Sequence, residues 1–391
     1  MVDVVAGGFE VMNLVGMTVI ITRQAHNGCK DGSNDQADPD HVDESGCRPI
    51  HTTNLFDLAV NINRKMDRIS IALCTYNGER YLQEQLDSYL SQTRHPDELI
   101  VCDDRSTDAT SNILEHFADA APFDVKLFVN EHNIGSTRNF EKAIGLCTGD
   151  LIFLSDQDDV WLPAKVATIE REFINNEAVG LVFTDAELVD DHLRPLGRRL
   201  LDVTLSSFAR DALRRDRAFE TLLEHNFVTG ATAAFRSRYR EVLRPTPGGV
   251  PNLIHDAWIA LSIANEAPVV FIEEPLIKYR QHSSQQIGLR LDHEEDRKER
   301  YQRTIDTLNA EATRLRMLKQ ILSGLPDFQM PEEIDVMIEN KLEYAEHCAK
   351  RMDLPDSRVS RAAPIIREMS TGRYGRFSRG LISALKDLVE R

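Results

Sequence analysis

The chain has 391 residues, 42% of them hydrophobic, and a formal net charge of −17. That length and apolar content suffice to bury a sizeable core, as one large domain with appendages or as two domains. So acidic a chain is a poor match to general nucleic-acid binding, which rests on Lys and Arg meeting phosphates, and no stretch reaches the roughly 20 apolar residues of a membrane span.

Residues 1–22 are apolar in patches but lack a basic start and a small-residue cleavage site, so no signal peptide is expected. Residues 24–53 are rich in Asp, Asn, Gly, Ser and His without a sustained period, the composition of a poorly ordered segment. The composition changes at about residue 66, where Met66-Asp-Arg-Ile-Ser-Ile-Ala-Leu-Cys74 runs straight into a buried strand. Met66 is therefore the expected start of translation, with 1–66 a poorly ordered extension. Beyond it the pattern predicts strands at 69–74, 98–102, 125–129 and 151–154, separated by helices at 79–92, from 107 to about 117, and at 136–146. Repeated βα units of this length predict a mostly parallel sheet with helices on both faces. Six cysteines, at 29, 47, 74, 102, 147 and 348, show no CxxC spacing, so reduced thiols in a cytosolic protein are expected rather than a zinc or disulfide framework.

Polar residues collect where the strands end. Thr75-Tyr76-Asn77-Gly78-Glu79 follows the first strand and Asp103-Asp104-Arg105-Ser106-Thr107-Asp108 the second. An aromatic and a carboxylate pair at adjacent strand ends can grip a nucleobase, by stacking and by accepting from a base N–H; Ser106, Thr107 and Asp108 equally suit helix capping. Neither a dinucleotide glycine fingerprint nor a P-loop is present. Ser155-Asp-Gln-Asp-Asp159 follows the fourth strand. Carboxylates crowded at a strand end repel one another unless a cation joins them, and Mg2+ and Mn2+ favour carboxylate and phosphate oxygens. Two readings stay open: Asp156, Asp158 and Asp159 hold a metal that carries a diphosphate, or they cap the helix that Trp161-Leu-Pro-Ala-Lys-Val166 begins.

Further along, Asn226-Phe-Val-Thr-Gly230 is a turn of polar and small residues, and His255-Asp256-Ala-Trp258 opens an apolar helical stretch at 259–264, where the Asp suits a cap. Tyr279-Arg-Gln-His282 ends a strand region at 269–278; a lone His there is ordinarily a structural hydrogen-bonder. Both tryptophans, Trp161 and Trp258, adjoin these motifs as core residues or as a wall for a sugar face. Ile305, Leu308, Ala312, Leu315 and Leu318 recur at helical spacing, and a second amphipathic stretch covers 334–348. The tail 357–391 holds eight Lys or Arg against three Asp or Glu, interleaved with apolar residues. It suits peripheral attachment to an anionic membrane surface, or packing on an acidic domain or a partner subunit.

The series Cys74-Thr-Tyr-Asn-Gly78, Val101-Cys-Asp-Asp-Arg-Ser-Thr-Asp108, Asn133-Ile-Gly135 and Leu154-Ser-Asp-Gln-Asp-Asp159 resembles, in order and spacing, the nucleotide-binding half of family-2 glycosyltransferases of the GT-A fold. The resemblance covers about residues 68–290. It implies a Rossmann-like α/β fold with a mostly parallel mixed sheet flanked by helices, a GT-A domain at 67–290 (nucleotide half 67–160, acceptor half 161–290), and a helical extension at 291–391. It implies that Asp104 contacts the base, with Thr75, Tyr76, Asn77, Glu79, Arg138 and Gln157 in the donor pocket. Asp156 would face the ribose, Asp158 and His282 a divalent cation, Mn2+ or Mg2+, and Arg280 the diphosphate. Thr229 and Gly230 would lie beneath the donor sugar, Trp258 beside it, and Asp256 would be the general base. The strings Asp-Gln-Asp-Asp-x-Trp, His-Asp-x-Trp and Tyr-Arg-Gln-His are similar to those of bacterial rhamnosyltransferases, although this chain has Ser283-Ser-Gln-Gln286 where those relatives have an Asn shortly after the His.

The implied activity is inverting transfer of a sugar from a nucleotide sugar, dTDP-rhamnose or a UDP-sugar, to a cell-surface glycan or lipid-linked acceptor. It would take place in the cytoplasm or on the inner face of the membrane, by a monomer or an oligomer. Two alternatives are kept: a catalytically silent nucleotide-sugar or glycan-binding protein, which predicts a broken metal or base motif, and a nucleotidyltransferase, which would want a basic, Gly-rich triphosphate loop.

Overall fold

The computed structural model describes residues 4–5, 9–14, 17–22, 66–282, 285, 296–325, 328 and 330–389, and the chain divides into Met1–Arg64 and Lys65–Arg391. In the first unit β1 (Val4–Val5), β2 (Phe9–Leu14) and β3 (Met17–Thr22) form an antiparallel sheet. The stretch 24–53 lies outside the described residues, as does most of 283–286.

In the second unit the βα alternation runs through β4 (Ile69–Thr75), α1 (Leu82–Leu90), β5 (Glu98–Asp103), α2 (Thr110–Ala120), β6 (Asp124–Val129), α3 (Ser136–Leu146) and β7 (Leu151–Ser155). β4, β5 and β7 are buried along their whole length, as apolar runs are when helices cover both faces of a parallel sheet. Successive side chains point to opposite faces. Ile71, Leu73, Leu99, Val101 and Phe153 pack with Leu86 of α1 and Leu114 of α2, while Ala72, Cys74, Ile100, Cys102 and Leu154 pack with Phe140 and Ile144 of α3. Cys74, Cys102 and Cys147 thus sit in the core as small apolar groups.

Next come β8 (Val160–Trp161), α4 (Lys165–Asn175), β9 (Leu181–Val189), β10 (Pro195–Arg199), α5 (Leu200–Thr204), α6 (Ser207–Arg214), α7 (Ala218–Glu224), β11 (Ala233–Arg236), α8 (His255–Ala264) and β12 (Val269–Arg280). The sheet order is β6-β5-β4-β7-β11-β9-β12-β8, with β10 on β9. β4 to β7 run parallel, β12 runs parallel to β9, and β11 lies antiparallel between β7 and β9. This is the mixed, mostly parallel α/β sheet of a GT-A fold.

Register places the site. Thr75 pairs with Asp103, and Leu73 with Ser155, so the loops after β4, β5 and β7 leave one edge side by side. Because β11 runs backwards, the Gly230–Thr232 turn before it returns to that same edge. β12 ends there too, Arg280 opposite Val189, with Val160 of β8 opposite Lys278. In open α/β sheets the ligand crevice lies outside these carboxyl ends.

α9 (Arg297–Leu322) begins with a capping box of Asp296 and Glu299 and pairs with α10 (Ile334–Met352). Ala312, Leu315, Leu318, Leu322, Ile334 and Ile338 enter the same core as α8. The basic tail forms α11 (Arg358–Ser370), α12 (Arg373–Phe377) and α13 (Leu381–Val389) around a smaller cluster of Ile365, Tyr374 and Ala384. Among the described residues no helix is long and apolar enough to cross a membrane.

Candidate active site

The five-residue acidic loop after β7 does not cap a helix. α4 begins at Lys165, six residues beyond Asp159, its N-cap residue makes no side-chain cap bond, and its first-turn Val166 N–H is taken by Gln92 Oε1 at 3.1 Å rather than by an acidic side chain of the motif. The loop is instead pinned from β12. Asp159 is fully buried, with Oδ1 accepting the Arg280 N–H at 3.0 Å while Oδ2 has no partner. Asp158 Oδ2 meets Nε2 of His282 at 2.9 Å, which brings the two expected metal-binding side chains together. Burial, and then the charges of Asp158 and Asp256, push the Asp156 carboxyl up to about 7.

A cavity of about 1260 Å3 opens above this loop. One end is built by the first two motifs, which are laced to each other. Asn77, at φ +48°, donates from its N–H to Ser106 Oγ at 2.8 Å and accepts the Thr107 N–H on Oδ1 at 2.8 Å. Glu79 Oε2 accepts the Ala109 N–H at 2.9 Å, and Asp108 accepts the Thr110 N–H, so these two carboxylates serve the start of α2. Asp104, buried at the cavity wall, accepts from Asn130 Nδ2 and from the N–H groups of Ile134 and Gly135, each at 2.8 Å, and so holds the Asn133–Gly135 motif in place. Gln157 brackets the Tyr76 backbone, accepting its N–H at 2.8 Å and donating to its C=O at 3.1 Å. A Cβ on Gly78 would stand 2.4 Å from Gln157 Oε1, so any larger residue there would push the Gln157 amide off the Tyr76 backbone. The Tyr76 ring is left about half exposed at the mouth.

Asp256, in the first turn of α8, lies across the cavity. Oδ2 accepts the Gly230 N–H at 3.1 Å and Oδ1 accepts from Asn226 Nδ2 at 3.3 Å. Burial raises its carboxyl to about 6 against the opposing pull of the Gly230 and Ala257 N–H groups. The turn is anchored from below: Lys165, wholly buried on the Trp161 ring, donates from Nζ to the Ala231 C=O at 2.6 Å.

Thr75, Tyr76, Asn77, Glu79, Asp104, Asp156, Gln157, Asp158, Thr229, Gly230, Asp256 and His282 all line this one cavity. Three expected donor residues do not. Arg138 lies outside it, paired with Glu141 at 2.7 Å one turn along the exposed side of α3. Trp258 is buried, donating from Nε1 to the Arg244 C=O and stacked on Phe328. Arg280 is spent on structure: Nε donates to the Asp158 C=O at 2.7 Å, Nη1 to the Asp191 C=O at 2.6 Å, and Nη2 bonds Glu84. It positions the acidic loop rather than facing a ligand.

Sequence reasoning missed two groups. His255 lines the cavity beside Asp256, stacked flat on Phe140 at 4.0 Å and driven to about 3 by burial, hence a neutral imidazole at pH 7. The other group is the face of α9 carrying Thr307, Ala310, Glu311 and Arg314, which walls the end opposite the nucleotide motifs together with His225 and Asn226. Their spacing marks one helical face, but nothing in the sequence separates a cavity wall from a solvated stripe. Lys341 of α10 holds this end, bonding Glu224 at 2.7 Å and Glu311 at 2.8 Å.

Residues 70–243 match the model of the family "Glycosyl transferase family 2". An uncharacterized protein of Mycobacterium tuberculosis is 26% identical over 220 residues, 55% of this chain and 59% of that one. The dTDP-rhamnosyl transferase RfbG of Shigella flexneri is 27% identical over 229 residues, 55% of this chain and 73% of that one. The chain thus spans about three fifths of the length of the first relatives it matches. A mannosyltransferase from Pyrobaculum calidifontis, solved with GDP-Man and Mn2+, superposes with a TM-score of 0.46 at 18% identity, over 86% of this chain and 94% of that one. The family-matched segment runs from β4 past β11 and contains every nucleotide-end motif, with Asp256 and His282 just beyond it: residues 70–243 belong to glycosyl transferase family 2.

Proposed function

We propose that this chain is an inverting, metal-dependent glycosyltransferase that moves a sugar, rhamnose in our reading, from a nucleoside diphosphate sugar to a hydroxyl of a cell-surface glycan or lipid-linked acceptor. The observation that carries the reading is Asp256, a carboxyl held near 6 and oriented by the Gly230 N–H in the same cavity as Asp156 and Asp158. A base with such a pKa is ionised at neutral pH yet still basic enough to take a proton in the transition state. The cavity of about 1260 Å3 exceeds the roughly 300–1,000 Å3 of a pocket for one small ligand, which suits two substrates. In this reading Tyr76 at the mouth stacks on the base and Asp104 in the wall accepts from it.

In the reaction the acceptor hydroxyl gives its proton to Asp256 as its oxygen bonds the anomeric carbon. The bond from that carbon to the diphosphate breaks, and its electron pair leaves on the nucleoside diphosphate. A single displacement inverts the anomeric centre. Gly230 and Asn226 keep the Asp256 carboxylate turned to the acceptor, and neutral His255 adds no competing charge.

Among the described residues no group of three or more His, Cys, Asp or Glu side chains is set to hold a metal ion. The donor set fits a cation shared with substrate, since Mg2+ is commonly held by one or two carboxylates plus substrate phosphates. Asp158 and His282 would be the protein donors, with Asp156 facing the ribose, and the cation when bound would neutralise charge on the departing diphosphate. Rhamnose rests on the dTDP-rhamnosyl transferase among the relatives. Release of nucleoside diphosphate from a panel of dTDP-, UDP- and GDP-sugars, with Mn2+ and with chelator, tests the reading. Turnover of dTDP-rhamnose that chelator abolishes is expected; donor binding without turnover of any sugar would point to a silent binding protein.

A further inference from the structure

The outward faces of the last three helices carry Val359, Ile366, Leu381, Ile382, Leu385 and Val389, each more than half exposed. Val359 and Ile366 are seven residues apart on α11, and Ile382, Leu385 and Val389 follow i, i+3, i+7 on α13, so each set forms one stripe. These are not core residues turned loose. The inner faces are satisfied by Ile365, Tyr374 and Ala384, with Met369 and Leu388 packed against them.

The charges on this surface have one sign. Arg358, Arg367 and Arg379 are exposed, whereas the carboxylates between Ser357 and Val389, Glu368 and Asp387, are both buried. Glu368 is engaged with His347 and Lys350, and Asp387 with Arg297, Arg351 and Tyr374. Arg373, largely buried, and Arg376, about half exposed, pair with Glu346 and Glu343 of α10 and fasten the tail to the body. The charged side chains that remain exposed on these helices are all cationic.

We propose that α11 and α13 form a docking surface for an anionic phospholipid membrane, their apolar stripes entering the headgroup–acyl boundary and the exposed arginines meeting lipid phosphates. Apolar surface of this kind is seldom left uncovered in a soluble monomer. A second copy of the chain suits it less well, because a twofold contact sets the same patch against itself and brings arginine to arginine. The rest of the chain is more acidic than the −17 of the whole, so an anionic surface repels it on balance and favours approach by the basic tail. The proposal rests on the surface and not on the reading of the active site.

The test is co-sedimentation of the full chain with phosphatidylcholine vesicles, with and without phosphatidylglycerol, alongside sedimentation equilibrium in the absence of lipid. Binding to the anionic vesicles alone is expected, weakening as salt rises. Replacing both Leu381 and Leu385 by Asp, or both Arg367 and Arg379 by Glu, should each lower vesicle partition by roughly tenfold or more, with nucleotide-sugar turnover in solution unchanged because none of the four lines the cavity. Two independent pairs guard against one that misfolds. Equal binding to neutral and anionic vesicles, no binding to either, or a dimer that the Leu pair dissociates would each overturn the assignment.

Discussion

Asp256 concentrates most of what one residue decides here. Its folded carboxyl is raised from 3.8 to about 6, chiefly by burial, so transfer should climb with pH along an acid limb of apparent pKa near 6 as the base ionises. Asp256→Asn keeps an acceptor for the Gly230 N–H but cannot take a proton; turnover should fall by roughly 10²–10⁴-fold with donor affinity retained, and a variant that keeps both its rate and its acid limb would remove Asp256 from the mechanism. Stability should move oppositely. A carboxyl whose folded pKa exceeds its unfolded value favours folding when protonated, so its contribution is full below about 4 and is lost as pH rises through 6. Asp256→Asn should therefore not lower the melting temperature at neutral pH. The sequence made Asp156, Asp158, Asp256 and His282 legible because each stands in a motif of restricted chemistry. It could not say that Asn77 and Glu79 also bind the neighbouring loop, or that Arg280 turns to Asp158 and Asp191. A polar side chain at a strand end suits ligand and loop alike, and only the register of β4 against β5 brings Asn77 to Ser106.

At the scale of elements, the βα units of the first half were readable because each strand is a continuous apolar run and each helix shows its own period. β11 was not: Ala-Ala-Phe-Arg is too short to show alternation, and its reversal follows from pairing with β7 and β9 rather than from its residues. α9 was legible as a helix, yet its part in the site is visible only in the fold. Arg314 shows how the helix is locked there. Its guanidinium donates to the C=O groups of Leu222 and Leu223 at the end of α7, and to that of Asn252 ahead of α8, at 2.6–3.3 Å. Burial lowers it only to about 10, so it stays charged at neutral pH. Arg314→Met leaves those carbonyls buried without donors, a cost of about 3 kcal/mol, and Lys, a point donor without a fork, should recover only part of it. Because α7 leads into Asn226 and Asn252 lies just ahead of the helix bearing Asp256, turnover should suffer more than donor affinity. Denaturant midpoints and donor titrations of the two variants would check this; equal losses of turnover and of donor binding would assign Arg314 to the donor site instead.

The whole second unit is assembled around a main core that reaches from β4 to α10, with the last three helices attached by few contacts, and one carboxylate carries much of that attachment. Asp387 on α13 is almost fully buried and accepts from Arg297 of α9 at 2.8 Å, from Arg351 of α10 at 2.6 and 3.1 Å, and from the Tyr374 hydroxyl of α12 at 2.8 Å. Removing one partner of such a buried cluster leaves the others as uncompensated charge, typically about 3–5 kcal/mol. The loss should fall locally. α9 and α10 keep Leu315, Leu318, Ile334 and Ile338 in the main core, whereas α13 has only the small cluster around Ile365, Tyr374 and Ala384 to hold it. Asp387→Ala should therefore speed amide exchange across α12 and α13 by about 10²–10³-fold, the kinetic image of that free energy in a locally opening segment, while β4 and β7 keep their protection. Turnover of the nucleotide sugar in solution should be unchanged, since no residue of α11 to α13 lines the cavity. Uniform acceleration that includes β4 and β7 would mean that the tail belongs to the folding unit of the catalytic sheet, and that Asp387 stabilises the whole molecule rather than the docking of its last helices.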